Sequence, residues 1–357
     1  MMEMEGAPEP TISWDEGTGT IRFIDQTLLP ERYELVTCDT LDRLASAIRR
    51  LEVRGAPALG VAGGMGVALA AAGSRAGSRE RFLGEVEEAA ARLTATRPTA
   101  VNLSWGVDRV LARVREAANP AAAREAAIRE AMAMAEEDRA TCLAIGNHGA
   151  ALVPDGATVL THCNAGALAC TEWGTALGVV RSAARAGKQV RVVACETRPL
   201  FQGARLTAWE LVRDGIDVTV IPDGAAASLM RRGAVDLVVV GADRITRDAV
   251  FNKIGTYMHA VCAGHHGIPF YVAAPCSTFD PVHGEAEVRI EERPGGEVSR
   301  CGDRILVPEG ARVSNPAFDA TPLALVSAVV TEKGVLRPPY RFGRPPAPPR
   351  QGTKYIS

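Results

Sequence analysis

Residues 11–37 alternate apolar and polar side chains, with Ile21, Phe23 and Ile24 leading into Gln26-Thr27-Leu28-Leu29-Pro30. This period-two pattern predicts two or three short strands. At Leu41 the period lengthens. Leu41, Leu44, Ala45 and Ile48 share one helical face, and Ala/Glu/Arg-rich helical stretches follow at 79–93 and 119–139. The apolar run from Ala56 to Ala72 has the length of a membrane span, but it is built from Ala and Gly with a Pro at its start, so a buried helix is expected. Its Gly60, Gly63, Gly64 and Gly66 follow no strand and precede no Gly-Lys-Ser/Thr. Close helix packing explains them better than a nucleotide loop.

Near Gly149 the rhythm changes again. Short apolar runs now alternate with helical segments: Thr158–Thr161 then 172–187, Val190–Ala194 then 204–214, Val218–Ile221 then 224–232, Leu237–Val240 then 254–264, and finally Phe270–Ala273. Apolar runs without polar alternation, separated by helices, indicate a parallel sheet covered on both faces. The expected fold is therefore α/β. A small N-terminal strand-plus-helical domain (1–140) precedes a Rossmann-like, doubly wound parallel-sheet domain (141–340), and a Pro/Arg-rich tail (341–357) ends the chain.

Composition narrows the partners. Of 357 residues, Lys plus Arg number 40 and Asp plus Glu 42, a net charge of −2. Without a basic excess no nucleic-acid partner is expected, and a bound phosphate must be held by a few placed groups. The start, Met1-Met2-Glu3-Met4-Glu5, lacks the basic and apolar regions of a signal peptide. The eight cysteines contain no Cys-x-x-Cys pair, so they are expected reduced, in a cytoplasmic protein with no membrane partner. His265-His266 has no carboxylate at ligand spacing, and a helix C-terminus is its expected place. No metal and no cofactor are expected.

In an open parallel sheet, ligands bind outside the carboxyl ends of the strands. Those ends read His162-Cys163-Asn164, Glu196-Thr197-Arg198, Pro222-Asp223, Asp243-Arg244 and Pro275-Cys276-Ser277. Some polarity is ordinary where strands turn into solvent, so these residues raise the case for a site without naming its reaction. Arg54-Gly55-Ala56-Pro57 opens the Ala/Gly helix. It fits a phosphate cradle, with free N–H groups at an electropositive helix end, and equally an ordinary capped helix beside a surface arginine.

These motifs together resemble the methylthioribose-1-phosphate isomerase family, which is related to the regulatory subunits of the eukaryotic exchange factor for initiation factor two. The resemblance runs from about Ile21 to Leu336. It rests on Asp25-Gln26-Thr27-Leu28-Leu29-Pro30, Arg54-Gly55-Ala56-Pro57, Arg97-Pro98-Thr99-Ala100-Val101-Asn102-Leu103 and Thr161-His162-Cys163-Asn164-Ala165-Gly166. Glu196-Thr197-Arg198-Pro199, Gly241-Ala242-Asp243-Arg244, Asn252-Lys253-Ile254-Gly255-Thr256 and Asn315-Pro316-Ala317-Phe318-Asp319 follow in order.

The resemblance implies an aldose–ketose isomerase of methionine salvage, acting as a homodimer on a small sugar phosphate. It implies Cys163 and Asp243 as the catalytic pair, with Asp243 the proton donor. Arg54, Gly55, Ala56, Arg97, Gln202, Asn252 and Lys253 are the implied substrate-binding residues. One departure is the segment Thr246 to Phe251, one residue shorter than the usual turn, which leaves that loop's conformation open. A phosphate on the anomeric carbon blocks the free aldehyde, so the ring must open as hydrogen moves from C2 to C1. Burial would keep Asp243 neutral for that task, and a helix N-terminus would lower the Cys163 thiol. Enol-phosphate and hydride-shift routes both remain open. The sister substrates 5-deoxyribose 1-phosphate and ribose 1,5-bisphosphate are alternatives, as is a non-catalytic regulatory subunit.

Overall fold

The computed structural model describes residues 9–98 and 100–340; the expected tail at 341–357 lies outside them. Three antiparallel strands come first, β1 (Ile12–Asp15), β2 (Thr20–Ile24) and β3 (Leu35–Cys38). Alternation puts Ile12, Ile21, Phe23 and Cys38 into one core with the helices that follow. Those helices are α1 (Leu41–Arg49), α2 (Ala56–Gly73), α3 (Arg79–Thr94), α4 (Val101–Glu116) and α5 (Pro120–Ala150). Their starts are written locally. Thr40 accepts from Arg43 N, Ser78 from Arg81 N, and Asn119 from Ala122 N ahead of Pro120.

The Ala/Gly helix α2 is the hub of this part. Its apolar window is 72% buried, so it packs as a core helix. The glycines let backbones touch: a Cβ on Gly106 of α4 would lie 1.9 Å from the carbonyl oxygen of Gly60, and one on Gly63 would lie 2.7 Å from that of Leu103. Helix α4 falls within the helical region expected from Leu41 onward but outside the two stretches singled out there, and it starts without a side-chain cap.

Helix α5 is continuous across the expected boundary at 140. Ala123, Ala127, Ala131 and Met134 pack into the first core, while Ile145 and Ala150 belong to the second. The second part is built on β4 (Thr158–Thr161), α6 (Ala176–Arg185), β5 (Arg191–Cys195), α7 (Ala208–Arg213), β6 (Asp217–Ile221), α8 (Ala226–Arg231) and β7 (Leu237–Val240). It continues through β8 (Arg244–Ile245), β9 (Ala249–Lys253), α9 (Thr256–His265) and β10 (Phe270–Ala273). A small hairpin, β11 (Arg300–Cys301) with β12 (Arg304–Ile305), precedes β13 (Phe318–Pro322), β14 (Ala328–Thr331) and β15 (Gly334–Leu336).

The central sheet has the order β15-β14-β10-β7-β4-β5-β6. Every neighbouring pair is parallel except β14 with β15. The winding direction therefore reverses between β4 and β7, which lie side by side. A three-stranded antiparallel sheet, β13-β9-β8, stands beyond the end of β7, with Asp319 opposite Asn252. The expected strands match within a residue or so. The expected helix at 204–214 begins instead as a π-helical turn, Gly203–Thr207, whose first residue packs so closely that a Cβ on Gly203 would meet the Cys195 carbonyl at 1.7 Å.

The two parts are laced together by the segment before Pro30. Gln26 Nε2 donates to Leu168 O at 2.8 Å, and Arg205 donates to the carbonyls of Gln26 and Leu29, each at 2.9 Å. His265 and His266 do end α9, as expected for a helix C-terminal pair.

Candidate active site

At the carboxyl end of the sheet, where β4 and β7 part, a cavity of about 170 Å³ opens toward α2. Cys163, Asp243, Arg54, Gly55, Ala56, Arg97, Gln202, Asn252 and Lys253 all border it. The topology explains the meeting. Cys163 follows β4 and Asp243 follows β7, adjacent parallel strands despite the sequence distance, and this is the crevice expected to take ligands in such a sheet.

Cys163 sits at φ +65°, a left-handed conformation that few non-glycine residues adopt. Neighbours hold it there. Its N–H donates to Thr197 Oγ1 at 2.8 Å, and its carbonyl accepts from Thr207 Oγ1 at 2.7 Å. Next to it, Asn164 receives Arg54 on its side chain (3.0 Å) and on its backbone carbonyl (2.8 Å). Buried Glu210 ties the rest of this turn, accepting from Asn164 Nδ2 and from the N–H groups of Ala167 and Leu168, with Arg181 as its counter-ion.

Helix α2 aims its N-terminus at the same space. Gly55 is its cap at φ +94°, and a Cβ there would meet the Ala169 backbone at 2.4 Å. Only glycine allows this approach. The helix end brings partial positive charge and unpaired N–H groups to the cavity.

On the opposite wall the β8–β9 hairpin carries Asp243, whose N–H donates to Phe251 O at 2.9 Å, and Asn252-Lys253. Lys253 Nζ donates to Ala317 O at 2.9 Å and lies over the Phe318 ring. Asn252 Nδ2 donates to Thr256 Oγ1. The shortened segment forms a tight turn at Arg247-Asp248, closed by Thr246 N donating to Ala249 O at 2.8 Å. This turn packs against Gly284 and Glu285, while Phe251 at the end of the same segment borders the cavity.

Burial shapes the chemistry. It pushes the Asp243 carboxyl up, opposed in part by Lys253, Arg97 and Arg54. It also pushes the Cys163 thiol up, against the pull of Arg54 and Lys253. The expectation of a lowered thiol is thus corrected: desolvation in the crevice outweighs nearby positive charge, and Cys163 rests as a neutral thiol. The Lys253 ammonium is pushed down, again by burial first. Gln202 is buried with its Oε1 unpartnered by protein, an acceptor left at the cavity wall.

Sequence reasoning missed one wall. Val288, Ile290, Glu291 and Arg293 border the cavity from a segment with little regular structure. Glu291 pairs with Arg97 at 3.2 Å and with Arg293 at 3.1 Å. The motif Asn315 to Asp319 was the available signal. Asn315 Nδ2 reaches Glu297 Oε2, the carboxylate that pairs with Arg293 of that wall, while Asp319 accepts from Gly255 N and Tyr257 N at the start of α9. The fold also gathers His162, Cys195, Asp223 and His259 below the crevice, a grouping with metal-ligand spacing that the sequence order conceals.

Comparison with known proteins adds to this picture. The Initiation factor 2 subunit family matches residues 52–338. A methylthioribose-1-phosphate isomerase of Syntrophotalea carbinolica is 52% identical, covering 91% of this chain and 96% of its own. A 5-deoxyribose 1-phosphate isomerase of Moorella thermoacetica is 51% identical, with 94% and 96% covered. The crystal structure of 5-methylthioribose 1-phosphate isomerase from Pyrococcus horikoshii superposes with a TM-score of 0.87 at 41% identity, over 95% of this chain and 97% of that one.

Proposed function

The chain belongs to the initiation factor 2 subunit family, and within it we propose an aldose–ketose isomerase that converts 5-methylthioribose 1-phosphate to 5-methylthioribulose 1-phosphate. The observation that carries this reading is the meeting of Cys163 and Asp243 at the sheet's switch point, beneath a helix N-terminus and among Arg54, Arg97 and Lys253. The parallel strands follow the Rossmann-like order 3-2-1-4-5-6 in chain sequence, yet the crevice takes a sugar phosphate with no dinucleotide loop.

In this reading the α2 N-terminus and Arg54 hold the phosphate. Asp243, whose carboxyl burial pushes toward the protonated form, donates its proton to the ring oxygen as the bond from that oxygen to C1 breaks. The hydrogen on C2 then moves with its electron pair to C1, C2 becomes the carbonyl carbon, and the C2 hydroxyl returns its proton to the Asp243 carboxylate. No net proton is exchanged with water. The neutral Cys163 thiol favours this hydride route over an enol phosphate, because abstraction of the C2 proton would need an anionic base beside C2, and its sulfur lone pairs steady the positive charge that develops at C1 as the ring opens. Substrate carrying deuterium at C2 should therefore yield product with the label kept at C1; complete washout into solvent would reject the hydride route.

Two features separate the rival substrates. A bisphosphate needs a second uncompensated cation site, and Arg97 is already paired with Glu291. The 5-deoxy sugar differs only by a smaller apolar end, which a pocket rejects weakly, and a relative of that name is 51% identical. The deciding experiment is kcat/KM on the three purified sugar phosphates. The methylthio sugar should lead, and no turnover of any of them would overturn the enzyme reading in favour of a regulatory subunit. The working form is a cytoplasmic homodimer, consistent with Tyr257, Met258 and Val261 exposed together on α9. Light scattering should give twice the chain mass of 37.7 kDa.

A further inference from the structure

Below the crevice, four side chains that can bind a metal converge from four elements. His162 follows β4, Cys195 ends β5, Asp223 follows β6, and His259 lies on α9; their ligand atoms all fall within 4.8 Å of one another. Only His162 borders the crevice, so the other three have no part in the proposed reaction. We infer that this cluster is a structural site for one zinc-class divalent ion, held by both imidazoles, the Cys195 sulfur and an Asp223 carboxylate oxygen.

Two edges of the cluster come close to what such an ion needs. Tetrahedral zinc with nitrogen at about 2.0–2.1 Å sets two of its nitrogens roughly 3.3 Å apart, and His162 Nδ1 lies 3.2 Å from His259 Nε2. His162 Nδ1 to Asp223 Oδ1 is 3.8 Å, an edge that a few tenths of an ångström of side-chain movement brings to ligand spacing. Mixed nitrogen, sulfur and oxygen donors are what zinc accepts, and the buried surroundings suit a closed site.

The supporting contacts also fit. His162 Nε2 is 2.8 Å from the Ile254 carbonyl, so it carries the proton there and leaves the Nδ1 lone pair facing the cluster. That is how a metal-binding histidine is oriented. Both Asp223 oxygens accept a backbone N–H, from Thr197 and Arg198 at 2.8 Å, which fixes the carboxylate. Thr197 Oγ1, at 3.5 Å from His162 Nδ1, already receives Cys163 N and donates to Cys195 O. Fully buried His259 turns Nε2 toward the cluster, on the side facing His162 Nδ1.

Binding exchanges the Cys195 thiol proton, released to solvent, for a sulfur–metal bond, with no change of oxidation state. The ion would pin the ends of β4, β5 and β6 to α9, one residue before the strained Cys163. It leaves the reaction itself free of metal, so its test does not depend on which sugar is turned over.

The experiment is titration of chelator-treated, full-length protein with cobalt(II) under argon, with zinc content measured after dialysis. Expected are one equivalent of cobalt with a near-ultraviolet thiolate charge-transfer band and tetrahedral visible bands, displaced by zinc. Cys195→Ser should lose the charge-transfer band, and His259→Leu should weaken zinc binding at least tenfold. Absence of the thiolate band in the wild type overturns the site, as does a band unchanged in both variants, which would put the ion elsewhere. If Cys195→Ser fails to fold, the wild-type spectrum and His259→Leu still decide.

Discussion

Asp243→Asn isolates proton donation from shape. The carboxyl and the amide have nearly the same volume, and the backbone N–H that joins Asp243 to Phe251 is untouched. A positioned general acid contributes roughly 10²–10⁴ in rate, equivalent to about 2.7–5.4 kcal/mol of barrier, so kcat should fall at least a hundredfold. Stability should move the other way. Burial raises the folded-state pKa of Asp243 above its unfolded value. The folded protein therefore binds this proton more tightly, and the associated stability, full below the unfolded pKa, is lost as pH rises through the folded pKa. Asparagine removes that slope, so the melting temperature of the variant should match or exceed the wild type at alkaline pH and gain least at acid pH. In the wild type kcat should decline with rising pH as the acid ionises, and the variant should lack that limb. The assay is ketose phosphate formation across pH, beside thermal melts in the same buffers. Turnover within tenfold of wild type, or a variant that keeps the alkaline limb, refutes the role.

Cys163→Ser should lose at least a hundredfold in kcat while costing no more than about 1–2 kcal/mol in stability; near-normal turnover would make the thiol a packing group. Arg97→Ala and Arg54→Ala should each lower kcat/KM tenfold or more, since a charge-assisted contact contributes about 1.5–3 kcal/mol. The Arg54 variant should also lose stability, because Asn164 is left unpaired on two acceptors; wild-type kinetics in both would remove the arginines from substrate binding. Gly106→Ala should destabilise by about 1–3 kcal/mol or more through overpacking against Gly60, read as a lower melting temperature, and an unchanged melt would deny the backbone contact of α2 and α4.

The strands were legible because each is a short apolar run between turn residues, and Leu160, Val193, Val238 and Val272 are buried within them. Strand ends then put Cys163 and Asp243 among the candidates without geometry, since an open parallel sheet places its ligands there, and the resemblance singled out the pair. Distant partners were not legible. Glu291 reaches Arg97 from a segment with neither helical nor strand period, and nothing in its neighbourhood marks it as a wall of the cavity. The thiol of Cys163 was misjudged for a related reason: its charged neighbours can be read from motifs, but its desolvation depends on everything that surrounds it. Nor could four ligands from four elements be seen as one cluster before the strand order was known.

The same order explains how strain is kept at the site. Cys163, Thr197 and Phe201 hold φ of +65°, +65° and +57°, left-handed values that cost about 1–3 kcal/mol each for non-glycine residues. All three lie on the loops after β4 and β5, and each is clamped by its neighbours. Thr197 Oγ1 receives Cys163 N, Asp223 receives Thr197 N, and Phe201 N returns to Thr197 O at 2.8 Å. Glu210 fixes the outer part of the Cys163 turn through three donors. Relaxing Cys163 into an ordinary conformation would break these bonds together, so its orientation is set by the scaffold before substrate arrives. A preset thiol and acid at the ends of adjacent strands need little reorganisation as the ring opens, and the buried hydrogen bonds behind them offset the strain that this geometry requires.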